Sequence, residues 1–218
     1  LHADLFRKKL GLSKVRNPIV YVGAEESLFK PFKKNVTTDK KFDVLFYGSF
    51  ISLHGAEMIV RAANLMSNQL DVKWTLLGNG PNLKECKRLA QGLPNVFFEN
   101  NIPPSGLPER INRADLLLGI FGNSKKARSV IPNKVFQSLA CGKTVITRNS
   151  GAYPKKLSRL NKGIIFNKSN SPEEFGTFLK AVKQLGNYHN IALEDIQNNI
   201  LRANQELNLN YFDEYEDL

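Results

Sequence analysis

Between residues 43 and 166, six short strand-like runs alternate with helical segments, and this rhythm constrains the fold more than any other feature. The runs are DVLFYG (43–48), VKWTLLG (72–78), NVFFEN (95–100), ADLLLGIF (114–121), KTVIT (143–147) and GIIF (163–166). They are continuously apolar instead of alternating, as expected when helices cover both faces of a parallel sheet. The pattern predicts an α/β fold with a doubly wound, mostly parallel sheet.

Helical segments stand between most of these runs. HGAEMIVRAANLM gathers apolar side chains on one face at helical spacing, namely Met58, Ile59, Ala62, Ala63 and Met66. PNLKECKRLAQ and PERINR follow the same logic, and SPEEFGTFLKAVKQL opens with residues that favour a helix start. Outside this rhythm, PIVYVG (18–23) predicts a further strand, and residues 1–12 and 193–218 each predict a helix.

Composition restricts the class of protein. The chain has 218 residues, 42% of them hydrophobic and 23% charged, which is ordinary for a globular domain with a buried core. The apolar run at 116–121 is far too short to span a bilayer. Two separated cysteines and three histidines make a metal cluster improbable. The net charge is +11, but the cations are scattered, so a basic solvated surface is preferred over nucleic-acid binding.

A parallel doubly wound sheet binds ligands beyond the carboxyl ends of its strands, which directs attention to four places, after Tyr47, Leu77, Phe98 and Phe121. Three of these loops carry distinctive residues. GSFISLHG (48–55) has two glycines flanking a turn into a helix, where backbone N–H groups can face an anion. GNGPNLKE (78–85) predicts a tight strand-to-helix corner. GNSKKARSVIPNK (122–134) carries Lys125, Lys126 and Arg128 into a helix, with Pro132 predicted in its first turn.

GKT at 142–144 looks like the end of a phosphate-binding loop, but its surroundings exclude that interpretation. The position five residues before Gly142 holds Gln137 instead of the required glycine. A helix precedes Gly142 and a strand follows it, which reverses the order that such a loop needs. Gly142 is therefore predicted to end the helix, and the anion site is predicted at the other end, where Lys134 and Gln137 share one face.

Five segments in register resemble the nucleotide-binding half of the group 1 glycosyltransferases: GSF…LHG, LLGNGP, NIP…LPERINRADLLLGIF, IPNKVFQSLACGKTVIT and SPEEF. The match covers about residues 18 to 185. The resemblance implies a Rossmann-like domain that forms the C-terminal half of a GT-B fold, in which two such domains face each other across a cleft. Residues 1–41 would then be the end of a preceding domain and its linker, 42–185 the nucleotide-sugar-binding domain, and 186–218 a helical tail.

The same resemblance implies the roles of individual residues. The diphosphate would lie at the first loop, the base near Asn101 and Ile102, and the distal phosphate and sugar at the helix that starts at Pro132. The implied donor-binding residues are Gly48, Ser49, Phe50, His54, Gly78, Asn79, Gly80, Ile102, Arg128, Ser129, Ile131, Pro132, Asn133, Lys134 and Gln137.

This chain also departs from the family pattern. Ser49 and His54 stand where many relatives have arginine and lysine, and Ser129 and Gln137 stand where many have glutamates. Gln137 can still accept a hydrogen bond from a ribose hydroxyl, whereas Ser129 is too short to reach the sugar. Lys134 or Arg128 is expected to assist with the phosphate instead.

The resulting expectation is a hexosyltransferase-type enzyme of polysaccharide biosynthesis. It would move a sugar from a UDP- or GDP-linked donor to a glycan or lipid-linked acceptor with retention, without metal or cofactor. The main catalytic groups are expected in a missing N-terminal domain, so this fragment alone is expected to be inactive. We expect a cytoplasmic location, with peripheral contact to an anionic membrane compatible with the charge. The alternatives are a degenerate nucleotide-binding scaffold and, ranked third, a nucleic-acid binder.

Overall fold

The computed structural model describes residues 8–11, 22–32, 41–153 and 163–167. The helices predicted at 171–185 and 193–218, and most of the one at 1–12, lie outside these residues. Most of the strand predicted at 18–23 does too, and the two residues of it that are described, 22 and 23, are not in a strand. Within the described residues, no helix is long and apolar enough to cross a membrane.

Six strands form one parallel sheet in the order β3-β2-β1-β4-β5-β6, so the predicted doubly wound, Rossmann-like fold is confirmed. Their bounds are β1 Phe42–Tyr47, β2 Val72–Leu77, β3 Val96–Glu99, β4 Leu116–Leu118, β5 Val145–Arg148 and β6 Ile164–Asn167. The fourth strand is shorter than the run at 114–121 suggested. After it the chain bends toward the first loop, where the Phe121 N–H bonds the His54 carbonyl oxygen at 2.9 Å.

Four α-helices connect the strands: α1 Ala56–Leu65, α2 Leu83–Leu89, α3 Leu107–Arg113 and α4 Asn133–Ala140. Short 3-10 turns lie at Pro104–Gly106 and Ala127–Ser129. Helix α1 buries the predicted apolar face, including Ile59, Ala62 and Ala63. Pro132 is the extended residue before α4 and not a member of its first turn, which corrects that expectation.

The C-terminal end of α4 confirms the role predicted for Gly142. This glycine has a φ of 67°, and its N–H bonds the Leu139 carbonyl oxygen at 2.8 Å. The Lys143 N–H bonds the Ser138 carbonyl oxygen at 2.9 Å, which completes the pair of bonds that satisfies a helix end. GKT is thus a helix stop that leads into β5.

Helices cover both faces of the sheet, each over its own apolar core. On one face α1 and α2 pack over Phe46 and Trp74, and on the other α3 and α4 pack over Leu45 and Leu117. Two-sided burial explains why the strands are continuously apolar. Because helices occupy both faces, the loops at the carboxyl edge are left as the place where a ligand can approach the strands.

A buried polar network fixes the other end of β1. The Arg110 guanidinium on α3 donates to Asp43 Oδ2 at 2.9 Å and to Glu99 Oε2 at 2.8 Å, and the Thr75 hydroxyl donates to Asp43 Oδ1 at 2.8 Å. Every oxygen of the buried Asp43 carboxylate is therefore paired. This network ties three strands to α3, and it runs from Asp43 near the start of β1 to Glu99, the last residue of β3.

Candidate functional site

The order in which the chain adds strands to the sheet reverses between β1 and β4. From β1 the chain runs outward through β2 to β3, and it then returns to β4 on the opposite side of β1. Such a reversal leaves a crevice between the loops that follow the two central strands. Here these are the first loop (residues 48–55) and the fourth-strand loop (residues 119–132).

The first loop is held by the corner at Gly78–Gly80, backbone against backbone. Gly78 has a φ of 135°, and a Cβ atom there would lie 2.1 Å from the Gly48 carbonyl oxygen. A Cβ on Gly80 would lie 2.6 Å from the Phe50 nitrogen, and the Phe50 N–H bonds the Asn79 carbonyl oxygen at 3.0 Å. Gly78 and Gly80 are thus required for contact between the two loops, independently of any contact with a ligand.

Phe50 has a structural position. Its side chain is fully buried, with its ring in edge contact with Phe46 at 5.6 Å between centroids. Its N–H and carbonyl groups both bond the Gly78–Asn82 corner. Phe50 therefore offers a donor molecule neither its ring nor these backbone groups, and it acts by shaping the loop.

Lys134, in the first turn of α4, reaches into the crevice beneath the first loop. A Cβ on Gly48 would lie 3.1 Å from Lys134 Nζ, and this ammonium lies 4.2 Å from the centroid of the Phe46 ring. The side chain is only 6% exposed, and within the described chain no acceptor bonds Nζ. Burial lowers the pKa of Lys134 to about 7. An anion placed here would supply the missing partner.

His54 closes the same crevice from the first loop. Its Nδ1 donates a hydrogen bond to the Ser49 carbonyl oxygen, while its ring makes an edge contact with Phe46. Burial and, secondarily, the charge of Lys134 lower the pKa of His54 to about 4. At neutral pH the ring is therefore uncharged and its Nδ1 proton is already used, so Lys134 is the cation of this crevice. The exposed side chain of Ser49 lies at its rim.

Tyr47, the last residue of β1, was not predicted from the sequence as a site residue. Its buried hydroxyl lies 3.1 Å from Gln137 Oε1 and 3.2 Å from the Lys134 carbonyl oxygen, and burial raises the pKa of Tyr47. The tyrosine thereby anchors the start of α4 to the end of β1. The amide oxygen expected to accept a ribose hydroxyl already accepts from Tyr47, although a carbonyl oxygen has a second lone pair. The sequence did contain one signal for Tyr47, because it is a residue with a polar group at the carboxyl end of an apolar strand.

The fourth-strand loop supplies the exposed cations Lys125, Lys126 and Arg128. Ser129 next to them is buried, and its hydroxyl donates to the Lys125 carbonyl oxygen at 2.9 Å. Its hydroxyl therefore closes the 3-10 turn. The N-terminal end of α4 follows, with Ile131 and Pro132 half-buried and Asn133 exposed.

The residues expected near the base lie further along the same edge. Asn101 and Ile102 follow β3, and Ile102 packs on the second core. In the sheet, β3 is two strands from β1, which is a separation of about 10 Å between the two strands. In the described residues no group of three or more histidine, cysteine or acidic side chains could hold a metal ion. The chemistry available is a buried cation at Lys134, the N-terminal end of α4 and a separate loop after β3.

Solved structures share this fold at low sequence identity. The C-terminal domain of the group 1 glycosyltransferase LpcC from Francisella tularensis matches with a TM-score of 0.64 and 16% identity, over 83% of this chain and 97% of that chain. Anabaena HepE in complex with UDP matches with a TM-score of 0.69 and 13% identity, over 92% of this chain and 57% of the HepE chain. Sucrose-phosphate synthase from Thermosynechococcus elongatus matches with a TM-score of 0.70 and 16% identity, over 99% and 56%.

The chain thus spans somewhat more than half the length of the last two proteins. HepE has also been solved with UDP-glucose. No curated protein sequence matches the chain significantly. The family model described as "Glycosyl transferases group 1" matches residues 41–185, which is most of the chain and includes the crevice and all its loops. The resemblance inferred from the sequence is thereby confirmed, and the chain belongs to the group 1 glycosyltransferases.

Proposed function

We propose that this domain binds a nucleoside-diphosphate sugar, UDP- or GDP-linked, with its diphosphate in the crevice between the first loop and α4. The observation that carries this proposal is the Lys134 ammonium, which is buried beneath Gly48 without an acceptor in the described chain. A buried, unpaired cation is costly, and a bound diphosphate would relieve that cost. Its place at the chain reversal is where such sheets bind nucleotides.

The other parts of the donor fit the same edge. With the diphosphate over Lys134, a nucleoside extending toward β3 would place its base at Asn101 and Ile102, in the loop that follows a strand about 10 Å from β1. The sugar would then lie at the start of α4, whose N-terminal N–H groups favour oxygen atoms and negative charge. The UDP and UDP-glucose complexes of HepE support a donor of this class.

The proposed reaction is transfer of a hexosyl group to a glycan or lipid-linked acceptor, with retention at the anomeric carbon. As the bond from that carbon to the diphosphate breaks, negative charge develops on the leaving oxygen. Lys134 and the helix N-terminus would stabilise this charge, so the contribution of this domain is electrostatic and needs no metal. A cytoplasmic location with peripheral contact to an anionic membrane belongs to the same proposal, supported by the net charge of +11.

A second candidate is a nucleotide-binding scaffold without transfer activity. Ser129 favours it, because this residue stands where many relatives have a glutamate and its hydroxyl is used within its own loop. The two candidates share the diphosphate site and differ in whether sugar is transferred.

Calorimetry on Lys134→Ala tests the site. We expect the variant to bind UDP or GDP more weakly by about 1 to 3 kcal/mol, the value of a charged hydrogen bond, with little change for the nucleoside. Lys125→Ala is the matched control, because it removes the same charge from an exposed position in the adjacent loop. Equal losses for nucleotide and nucleoside, or equal losses in the two variants, would show that Lys134 does not contact the diphosphate.

A further inference from the structure

Two arginines from different elements converge on one amide oxygen beside the crevice. Arg128 in the 3-10 turn donates from Nη2 to Asn123 Oδ1 at 2.5 Å. Arg148, the last residue of β5, donates from Nη2 to the same oxygen at 3.3 Å, and its Nη1 donates to the Gly122 carbonyl oxygen. The two guanidinium groups are therefore neighbours at the carboxyl edge of the sheet.

No negative charge in the described chain balances this pair. The ion pairs recorded there involve Arg88, Arg110 and Arg113, and neither Arg128 nor Arg148 is among them. Partial burial and, secondarily, the charge of Arg128 lower the pKa of Arg148. Two like charges that share one neutral acceptor repel each other, so an oxyanion between them would be bound with favourable energy.

The arginine pair adjoins the proposed diphosphate site through one residue. Gly122, whose carbonyl oxygen accepts from Arg148, donates its N–H to the Leu53 carbonyl oxygen at 3.2 Å. Leu53 precedes His54 in the first loop, so the arginine pair and the Lys134 crevice both adjoin the same backbone contact. A substrate whose diphosphate occupies the crevice would therefore bring its next groups toward the arginines.

We propose that Arg128 and Arg148 form a second oxyanion site, which binds a carboxylate or phosphate group carried by a substrate beside the diphosphate. The proposal rests on the proposed function and makes it more specific, since it requires an anionic substrate group in addition to the diphosphate. The planar guanidinium fork matches both oxyanions. A uronic acid as the donor sugar and a phosphorylated acceptor are the two sources of this chemistry.

The first arm of the test compares donors that differ only in charge, after UDP and GDP have identified the base that binds. Calorimetry then measures UDP-glucuronate against UDP-glucose, or GDP-mannuronate against GDP-mannose. We expect the anionic donor to bind about tenfold more tightly, because one charge-assisted hydrogen bond contributes enough free energy for a difference of this size. Arg128→Gln should remove this advantage, lowering the affinity for the anionic donor more than the affinity for the uncharged one, whereas Lys125→Gln, an equal loss of charge in the same loop, should keep it.

The second arm titrates inorganic phosphate into the chain, with and without saturating nucleotide, and follows the thermal midpoint. If the donors bind equally but phosphate stabilises the nucleotide-bound chain, and Arg128→Gln abolishes that effect, the anionic group belongs to the acceptor. Arg148→Lys serves as a second variant, because it retains a cation where Arg148 braces the Gly122 loop, and it should weaken the oxyanion effect while the domain stays folded.

Equal donor affinities together with no phosphate effect that depends on Arg128 would overturn the oxyanion site. If neither UDP nor GDP binds, the proposed function fails, and the phosphate arm still decides the second site. A phosphate effect that is lost in Arg128→Gln but kept in Lys134→Met would then support the arginine pair, and the opposite pattern would overturn it.

Discussion

Lys134 illustrates how much of a residue's chemistry depends on its surroundings. An exposed lysine stays charged far above neutral pH, whereas burial against Phe46 and Gly48 lowers the pKa of Lys134 to about 7. His54 nearby is shifted in the same direction by burial and by Lys134 itself. The crevice therefore contains at most about one positive charge at neutral pH, and Lys134 gains or loses its proton near pH 7.

This shift predicts a pH-dependent affinity for the donor. A bound diphosphate favours the charged ammonium, so binding takes up a proton wherever free Lys134 is neutral. Affinity should be constant below pH 7 and fall above it, by up to about tenfold per pH unit. Calorimetry with UDP-glucose or GDP-mannose from pH 6 to 9 measures this, and His54 stays neutral throughout because its pKa is about 4.

Lys134→Met is the control for that titration, since it fills the same space without a titratable group. Its affinity should be lower and flat above pH 7. A wild-type affinity that does not change between pH 7 and 9 would mean that Lys134 is not in contact with the diphosphate.

At the scale of elements, the ligand edge is built by loops that contact each other through backbone atoms. The Gly78–Gly80 corner after β2 supports the first loop, and Gly122 after β4 supports it from the other side, where a Cβ would lie 2.3 Å from the Leu53 carbonyl oxygen. Glycine is required at these positions because the backbones approach more closely than a side chain allows. The loops after β1, β2 and β4 therefore act as one support for the crevice.

The substitution Gly78→Ala tests whether close contact between the loops, and not only the positive φ of Gly78, requires glycine at this position. Gly92 is the matched control, because it too has a positive φ, 81°, but a Cβ there would meet nothing within 4 Å. Gly92→Ala should cost about 1 to 2 kcal/mol of unfolding free energy from its left-handed conformation. Gly78→Ala should cost more, about 3 kcal/mol or beyond, because the added methyl would collide with the Gly48 carbonyl oxygen. Urea unfolding measures both, and equal losses would contradict a steric role for Gly78.

At the scale of the whole molecule, the described residues form one doubly wound sheet, with the proposed binding site at the carboxyl edge of its strands. In longer proteins that share this fold, such as HepE, the chain corresponds to 57% of the length. A donor bound at this edge would meet its acceptor only if a second surface faced the crevice. Holding two reactants together in the correct orientation lowers the activation barrier by about 7 to 11 kcal/mol in well-oriented systems. A domain that binds only the donor lacks this contribution, so its transfer rate should be very low.

We therefore expect residues 1–218 alone to bind the nucleotide sugar without measurable transfer. Transfer should appear only when a second domain faces the crevice in the same polypeptide. A radiolabelled-sugar assay on both polypeptides, with membrane and glycan extracts of the source organism as acceptors, measures this. Robust transfer by the 218-residue chain would contradict the expectation that transfer needs a second domain. Binding without transfer by the longer chain would favour the nucleotide-binding scaffold.

The local regularities of the sequence were sufficient for the elements and for the edge at which we propose that the ligand binds. Continuous apolar runs predicted all six described strands of the sheet, helical spacing predicted α1, and Gly142 marked the end of α4. Each of these depends on residues close together in the chain. The loops that follow parallel strands necessarily share one edge, so the location of the site followed from the same pattern.

Only the tertiary structure decided what individual side chains do at that edge. Phe50 lies in the core, the Ser129 hydroxyl closes its own turn, and Tyr47 and Arg148 join the site without a sequence motif. The burial of Lys134 depends on Phe46 and Gly48, which are distant in sequence and meet it only when the sheet is assembled. Solvation and charge pairing are set by such neighbours, whereas the alternation of strands and helices is set by local periodicity.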